Sequence, residues 1–458
     1  MRIAVAGAGF VGIVHAAVMA NQGNNVILFD IDESKINHLN AYCNGETNTL
    51  PIYEEGLEEL CRRNYREHRI HFTSNAKEAI QGSEVIFIAV GTPFDEVEGK
   101  ANLSFVEDVA KKIGQVLQDY PQYKLIVNKS TVPLGTAEKV REIIKVYYTG
   151  DFDVASNPET LAEGSAVQDA LHPDRIIIGI DSERAEKILR EIYSSFFFPH
   201  QTGKIHSMAI RDAELAKYAF NTFLAAQVHM TNVLANISKS AGANWRAIIP
   251  AVLADERIGK FVHPGLGFGG SCFRKDVSAL RRTAFDLGLD LNTINSLKII
   301  LEQNEGQKLK LNRRIAEVFG ENLSGYKIAI WGLSFKKDTN DVRDAASLVA
   351  IPNLIQRGAS IHAHDPQASG EFMKEMQKKK KDISNISVIE DQYETLEGCD
   401  FLLITNDWKN YRNPDFDTIK KKLKNSIIFD GKDVLDYTHI KKRGDFSYYS
   451  IGRPDIQR

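Results

Sequence analysis

Short apolar runs recur along the first part of the chain, separated by polar or helix-forming stretches. "RIAVAGA" (2–8), "NVILFD" (25–30), "EVIFIAV" (84–90), "KLIVNKS" (124–130) and "FDVASN" (152–157) are apolar at consecutive positions rather than alternate ones. A strand covered on one face alternates. A strand apolar throughout is buried on both faces, as in a parallel sheet between helical layers. The pattern predicts a doubly wound α/β domain, with "DRIIIGI" (174–180) continuing the same sheet. From Arg211 the texture changes: no proline or glycine appears before Gly242, and Ala and Leu are frequent. A helix of roughly 30 residues would span about 45 Å, which suits a connector between domains and a dimerisation surface. A second alternating region begins near Tyr326, with "KIAIWGLS", "ASIHAHDP", "DFLLITN" and "SIIFDG" as strands. The lysine run 378–381 reads as a solvated helix end.

Composition narrows the function classes. The chain has 458 residues, too many for one core. A net charge of −3 gives no electrostatic reason to expect nucleic acid or an anionic membrane. No apolar run approaches the roughly 20 residues of a membrane helix, and the opening "MRIAVAGAGFVG" enters a strand directly instead of forming a signal peptide. Cys43, Cys61, Cys272 and Cys399 lack metal-ligand spacing and read as reduced thiols of a cytoplasmic protein.

The first strand ends in Gly7, Gly9 and Gly12, spaced G-x-G-x-x-G, with Phe10 and Val11 opening an Ala-rich helix. The first glycine allows the tight turn, the second lets backbone N–H groups approach a pyrophosphate, and the third lets helix and strand pack. "ILFD" places Asp30 about twenty residues on, where its carboxylate can accept from both ribose hydroxyls and repel a 2′-phosphate. That favours NAD over NADP. Asp32 is the rival acid, but it lies beyond the strand end. The second region repeats the strand-then-glycine form without the full fingerprint. The expected architecture is α/β, with two Rossmann-like doubly wound domains joined by a long central helix and a helical middle segment. The boundaries are 1–205 (NAD), 206–305 (central, with the cysteine loop) and 306–458 (a second nucleotide).

"HPGLGFGGSCFRKD" surrounds Cys272 with glycines, where backbone can approach a ligand closely. Hydride transfer from an alcohol needs no thiol. An aldehyde carbon gives up hydride only after a nucleophile has made it tetrahedral, and a thiolate does this through a thiohemiacetal and then a thioester. Cys272 is therefore the candidate nucleophile, and the other three cysteines are structural. Lys217 and Asn221 share one helix face and could hold an oxyanion. Glu159 and Glu163 follow a strand end and could orient or deprotonate water. Asp276, four after Cys272, could position the thiol or a water.

These segments resemble the UDP-glucose/GDP-mannose dehydrogenase family nearly end to end, through "GAGFVG", "PIYEEGL", "VGTP", "KSTVPLGT", "SNPETLAEG", "PDRIIIG", "LAKYAFNTFLA", "RIGKFVHPGLGFGGSCFRKD" and "FKKDTNDVRDA" in this order. The resemblance implies four-electron oxidation of a nucleotide sugar's C6 alcohol to a carboxylate with two NAD per turnover. It implies Cys272 as nucleophile, Lys217 and Asn221 on the oxyanions, Asp276 assisting water, Glu159 and Glu163 as the motif glutamates, and Thr131 holding a catalytic water. Lys35, Thr92, Thr131, Glu163, Lys275 and Arg343 should line the NAD site after Asp30. The sugar nucleotide should meet Glu159, Thr160, Leu161, Lys217, Asn221 and the loop Pro264 to Gly270, including Phe268 and Gly269. Phe335, Lys336, Lys432 and Arg257, the last from across a homodimer, complete that grip.

Three positions depart from the family's usual pattern: Thr160 for Phe, Arg274 for Pro and Lys432 for Arg. "GFGGSCF" looks like the UDP-glucose branch. The alternatives are the same chemistry on a UDP-N-acetylhexosamine, UDP-galactose or GDP-mannose, a two-electron β-hydroxyacid dehydrogenase, or a non-catalytic nucleotide sensor.

Overall fold

A computed structural model describes residues 1–95, 99–198 and 203–458. The chain divides into two compact units, 1–220 and 221–458. The helix Ile210–Ser240 contributes to both, and its 31 residues match the expected connector.

Among the described residues of the first unit are ten strands: β1 (Arg2–Ala6), β2 (Asn25–Phe29), β3 (Ile70–Thr73), β4 (Val85–Ile88), β5 (Phe94–Asp95), β6 (Lys100–Ala101), β7 (Lys124–Asn128), β8 (Phe152–Ser156), β9 (Ile176–Gly179) and β10 (Ile205–Met208). Eight of them form one sheet in the order β10-β9-β8-β7-β4-β1-β2-β3, and β5 and β6 form a hairpin. The order reverses between β1 and β4, which opens a crevice at the strands' C-terminal ends. Alternate residues feed two cores: Ile3 and Val5 point to one face, Ala4 and Ala6 to the other. "DRIIIGI" joins the sheet as expected but not in the expected direction, since β9 pairs antiparallel with β8. Its apolar run signalled burial, and burial carries no sign of strand polarity.

The second unit holds β11 (Lys327–Trp331), β12 (Ser360–His364), β13 (Ile386–Val388), β14 (Phe401–Ile404), β15 (Ile427–Asp430) and β16 (Ser447–Ser450). They form a wholly parallel sheet, β13-β12-β11-β14-β15-β16. Its helical part includes Trp245–Leu253, Phe273–Asp286 and Leu291–Lys308. Lys378 to Lys381 are exposed at and beyond the end of helix Ser369–Lys378, as expected.

Candidate active site

In the first unit the turn after β1 is held by its glycines. Gly7 has φ +111°, and a Cβ there would come 2.7 Å from the Ala89 carbonyl oxygen. A Cβ on Gly12 would lie 1.8 Å from the Gly7 oxygen, so any side chain breaks the turn. Gly9 is different: nothing lies within 4 Å of the Cβ position, so its missing side chain leaves open space at the helix start. Helix Phe10–Asn21 begins there with no side-chain cap and no acidic residue in its first turn. Its N–H groups and dipole remain available to an anion. Phe10 and Val11 are half-buried. Asp30 accepts from the Ala8 N–H (2.6 Å) and the Asp32 N–H (2.9 Å), which holds its carboxylate beside the turn. Asp32, the rival acid, caps helix Glu33–Asn44 through the Ser34 and Lys35 N–H groups. Lys35 is exposed, 3.7 Å from Asp32.

The far side of the crevice carries the other residues expected in this unit. The Thr92 hydroxyl donates to the Thr131 carbonyl at 3.0 Å. Glu159, Thr160, Leu161 and Glu163 follow β8. Lys217 Nζ donates to Glu159 Oε1 at 3.0 Å, and both side chains are at most 6% exposed. Burial alone would raise the Glu159 carboxyl. The charge and hydrogen bond of Lys217, the Leu161 N–H and the charge of Lys129 outweigh it, so the group is held below its ordinary value.

In the second unit Cys272 is the N-cap residue of helix Phe273–Asp286, partly exposed, with Sγ 3.5 Å from the Ser271 hydroxyl. The partial positive charge of that helix start stabilises negative charge beside it. Asp276 is fully buried one turn later. The Asn221 amide donates to its Oδ2, and Lys275 Nζ lies 2.9 Å from its Oδ1. The other cysteines are buried, and burial pushes Cys43 up to about 11, Cys399 up to about 12 and Cys61 higher still. This fits the structural role expected of them.

The glycine loop packs so closely that side chains are excluded. A Cβ on Gly269 would sit 2.6 Å from the Asp344 oxygen and 2.8 Å from the Phe335 Cβ, and one on Gly265 would sit 3.2 Å from the Lys432 side chain. The Gly270 N–H donates to the Arg343 carbonyl at 2.7 Å. Phe268 is buried, Lys336 and Lys432 are partly buried, and burial pushes the Lys432 ammonium down. The Arg343 and Arg257 guanidiniums fork onto Asp341 and Asp255 respectively. The Arg257 side chain is 88% accessible.

Three matches decide the family. The model of the UDP-glucose/GDP-mannose dehydrogenase family's NAD binding domain matches residues 1–197, that of its central domain 211–304, and that of its UDP binding domain 329–437. The chain belongs to the UDP-glucose/GDP-mannose dehydrogenase family. UDP-glucose 6-dehydrogenase TuaD of Bacillus subtilis is 39% identical, covering 100% of this chain and 94% of that relative. UDP-glucose 6-dehydrogenase of Pseudomonas aeruginosa is 38% identical over 99% of this chain and 98% of its own. The solved UDP-glucose dehydrogenase of Pyrobaculum islandicum superposes with a TM-score of 0.87 at 34% identity, covering 99% and 97% of the two chains. As a member of this dehydrogenase family, the chain has NAD as its cofactor. The open space at Gly9, the uncapped helix start and the Asp30 carboxylate fit that group.

Several positioning residues lay outside the sequence reading. Asn304 holds both the N–H (2.8 Å) and the carbonyl (2.9 Å) of Phe268. Gln307 donates to the Gly265 carbonyl, and Asn232 accepts from the Gly265 N–H. Glu54 accepts from the N–H groups of Gly164 (2.8 Å) and Ala166 (2.7 Å), fixing the segment after Glu163. Only Glu54 left a signal, inside "PIYEEGL". The amides sit at helix positions with no local marker.

Proposed function

We propose that this protein catalyses the NAD-dependent oxidation of UDP-glucose to UDP-glucuronate. UDP-glucose, two NAD and one water give UDP-glucuronate, two NADH and three protons. The observation that carries this reading is the full-length match to relatives named UDP-glucose 6-dehydrogenase. Bound NAD supplies the hydride acceptor for both oxidations. Lys217, as the neutral amine, takes the proton of the C6 hydroxyl in the first oxidation. As ammonium it then holds the aldehyde oxygen together with the Asn221 amide, and the two stabilise the oxyanions that follow. The Cys272 sulfur bonds to C6 to give a thiohemiacetal, whose oxidation leaves a thioester. Asp276 and Thr131 hold the water that attacks this thioester. The C–S bond breaks, the thiolate is regained and the carboxylate departs. Glu159 fixes Lys217, and Glu163 lines the water's approach.

Asp30, Lys35, Thr92, Lys275 and Arg343 hold the cofactor, and the glycine loop, Phe335, Lys336 and Lys432 hold the nucleotide. The division 1–205, 206–305 and 306–458 is part of the proposal, and the three family matches fall within those parts. A homodimer is supported by an exposed apolar stripe on the long helix, Phe223, Met230, Leu234 and Ile237, and by the exposure of Arg257. Among the described residues no helix is long and apolar enough to cross a membrane, and we assign the protein to the cytoplasm. Thr160, smaller than the usual Phe, keeps a bulkier nucleotide sugar as the second reading.

The test is to supply NAD with a panel of nucleotide sugars and count NADH per sugar consumed. UDP-glucose should give two, and a yield of one defeats the thioester scheme. Cys272→Ala should abolish steady turnover while UDP-glucose still binds.

A further inference from the structure

A second buried lysine borders the same cavity as Glu159. Lys129 follows the end of β7 and is 7% exposed. Its Nζ donates to Asn157 Oδ1 at 2.9 Å. The Tyr193 hydroxyl donates to the same oxygen, and the Lys129 ammonium lies 6.0 Å from the centroid of the Tyr193 ring. Asn157 is itself fixed, donating from its backbone to the Asn128 carbonyl (2.8 Å) and from its amide to the Ile177 carbonyl (2.7 Å). The ammonium therefore sits where the ends of β7, β8 and β9 dictate. It borders a cavity of about 40 Å³ whose wall also includes His15, Asn157, Glu159 and Tyr193.

An ion pair with Glu159 at 3.0 Å favours the charged form of Lys217. That is the wrong form for a group that must take a proton. A second cation acting on the same carboxylate weakens this hold, because it divides the counter-charge and repels the first cation. Lys129 and Glu159 border the same small cavity, and the charges of both Lys217 and Lys129 pull the Glu159 carboxyl down.

We propose that Lys129 is a positioning residue for the first oxidation: its ammonium, fastened by Asn157, shares the Glu159 carboxylate with Lys217 and so lets Lys217 exist as the neutral amine that accepts the C6 hydroxyl proton. This rests on the role given to Lys217 above. Lys129 must be charged to act. Burial pushes it down to about 8, Lys217 works the same way and Glu159 opposes, so the effect belongs below about pH 8. Other ionisable groups face the cluster. His15, on the first helix, is held far below its ordinary value by burial and then by Lys129, and stays neutral. Burial pushes the Tyr193 phenol up, so it too is neutral. Asp169 and Arg175 border the same cavity. Asp169 accepts from the Ala162 N–H, and Arg175 stacks 4.5 Å over the Phe220 ring.

The experiment is the pH profile of kcat with UDP-glucose and NAD, read beside Tm and NAD affinity. The rate rises with pH along a limb set by deprotonation of Lys217. Lys129→Met should move that limb to higher pH by about one unit, and Lys129→Arg should return it towards the wild-type position. Asn157→Asp, which sets a carboxylate against Lys129, should move it in the same direction as Lys129→Met, and decides the matter if Lys129→Met does not fold. A limb that stays in place while kcat or Tm falls at every pH overturns the proposal and leaves Lys129 a packing residue. Wild-type protein yielding two NADH per UDP-glucose with an unmoved limb refutes Lys129 alone. A yield other than two refutes the reaction as well.

Discussion

The two sheets share the strand order 3-2-1-4-5-6 in their first six parallel members, yet they treat the same two positions differently. Gly7 after β1 and Gly332 after β11 both have positive φ, +111° and +101°. An acid follows the second strand in each, Asp30 after β2 and Asp365 after β12. In the first unit a helix starts at Phe10, and Asp30 spends its carboxylate on two backbone N–H groups. In the second no helix starts until Ser347. The intervening loop turns back, and Asp365 is buried under the N–H groups of Leu333, Ser334, Gln367 and Ala368, the Ser334 hydroxyl and the Trp408 indole. One carboxylate keeps lone pairs for a further donor, which we propose is a ribose hydroxyl. The other is consumed in shaping the loop that carries Phe335, Lys336 and Arg343. A shared topology therefore fixes where a ligand can sit, and the spare hydrogen-bonding capacity at two positions decides which ligand.

Truncating the two acids should break this symmetry most visibly. Asp365→Ala strands several buried donors and should cost about 3–5 kcal/mol of stability, with NAD affinity unchanged in protein that remains folded. Asp30→Ala should weaken NAD about tenfold or more and lower Tm only slightly. Thermal melts and NAD titrations of both variants measure this. Equal effects on NAD affinity would mean that the two positions are equivalent after all.

A smaller contrast lies in two buried carboxyls. Glu214 in the first unit caps helix Thr136–Lys145 through the N–H groups of Gly135 and Ala137. Asp433 in the second pairs with Arg453. Burial pushes each up to about 7. The folded state then binds a proton more tightly than the unfolded chain, so stability is greatest below the unfolded value near 4 and falls as pH rises towards 7. Each group can contribute at most about 1.4 kcal/mol per pH unit. Asp433→Asn should flatten the fall in denaturant midpoint between pH 5 and 7, and Glu214→Gln should flatten it too while lowering the midpoint itself through the lost cap. A slope unaffected by Asp433→Asn would show that Arg453 already offsets the burial.

How much of this was legible in the sequence follows from where each strand lies. Most central strands carry a run of three or more apolar residues, and those runs were read as strands. The edge strands β3, β10, β13 and β16 were missed. Each is three or four residues long and carries polar side chains such as His71 and Ser387, because an edge needs only one neighbour. The site divides the same way. Glycines and a lone cysteine betray themselves by residue type, so Gly7, Gly12 and the glycine loop stood out. Lys129, Asn304 and Gln307 work through burial and partners far along the chain, and an isolated Lys, Asn or Gln carries no local mark of that.

The smallest effect separates the two acids after β2. Asp32 is half-buried, and its Oδ1 accepts from the N–H groups of Ser34 (3.0 Å) and Lys35 (3.3 Å) and from the Ser34 hydroxyl (2.7 Å). Those bonds, the hydroxyl first, hold its carboxyl below the ordinary value. It satisfies two of the orphan donors at the start of helix Glu33–Asn44, whose other end closes on the left-handed Gly45. Asp32→Ala should therefore lower Tm by about 2 °C and leave NAD affinity within about twofold of wild type, whereas Asp32→Ser, which can still cap, should recover most of the lost Tm. A loss of NAD binding in Asp32→Ala as large as that in Asp30→Ala would move the ribose contact two residues on. The strand end would then no longer mark the cofactor-binding acid, and the contrast between Asp30 and Asp365 would lose its basis.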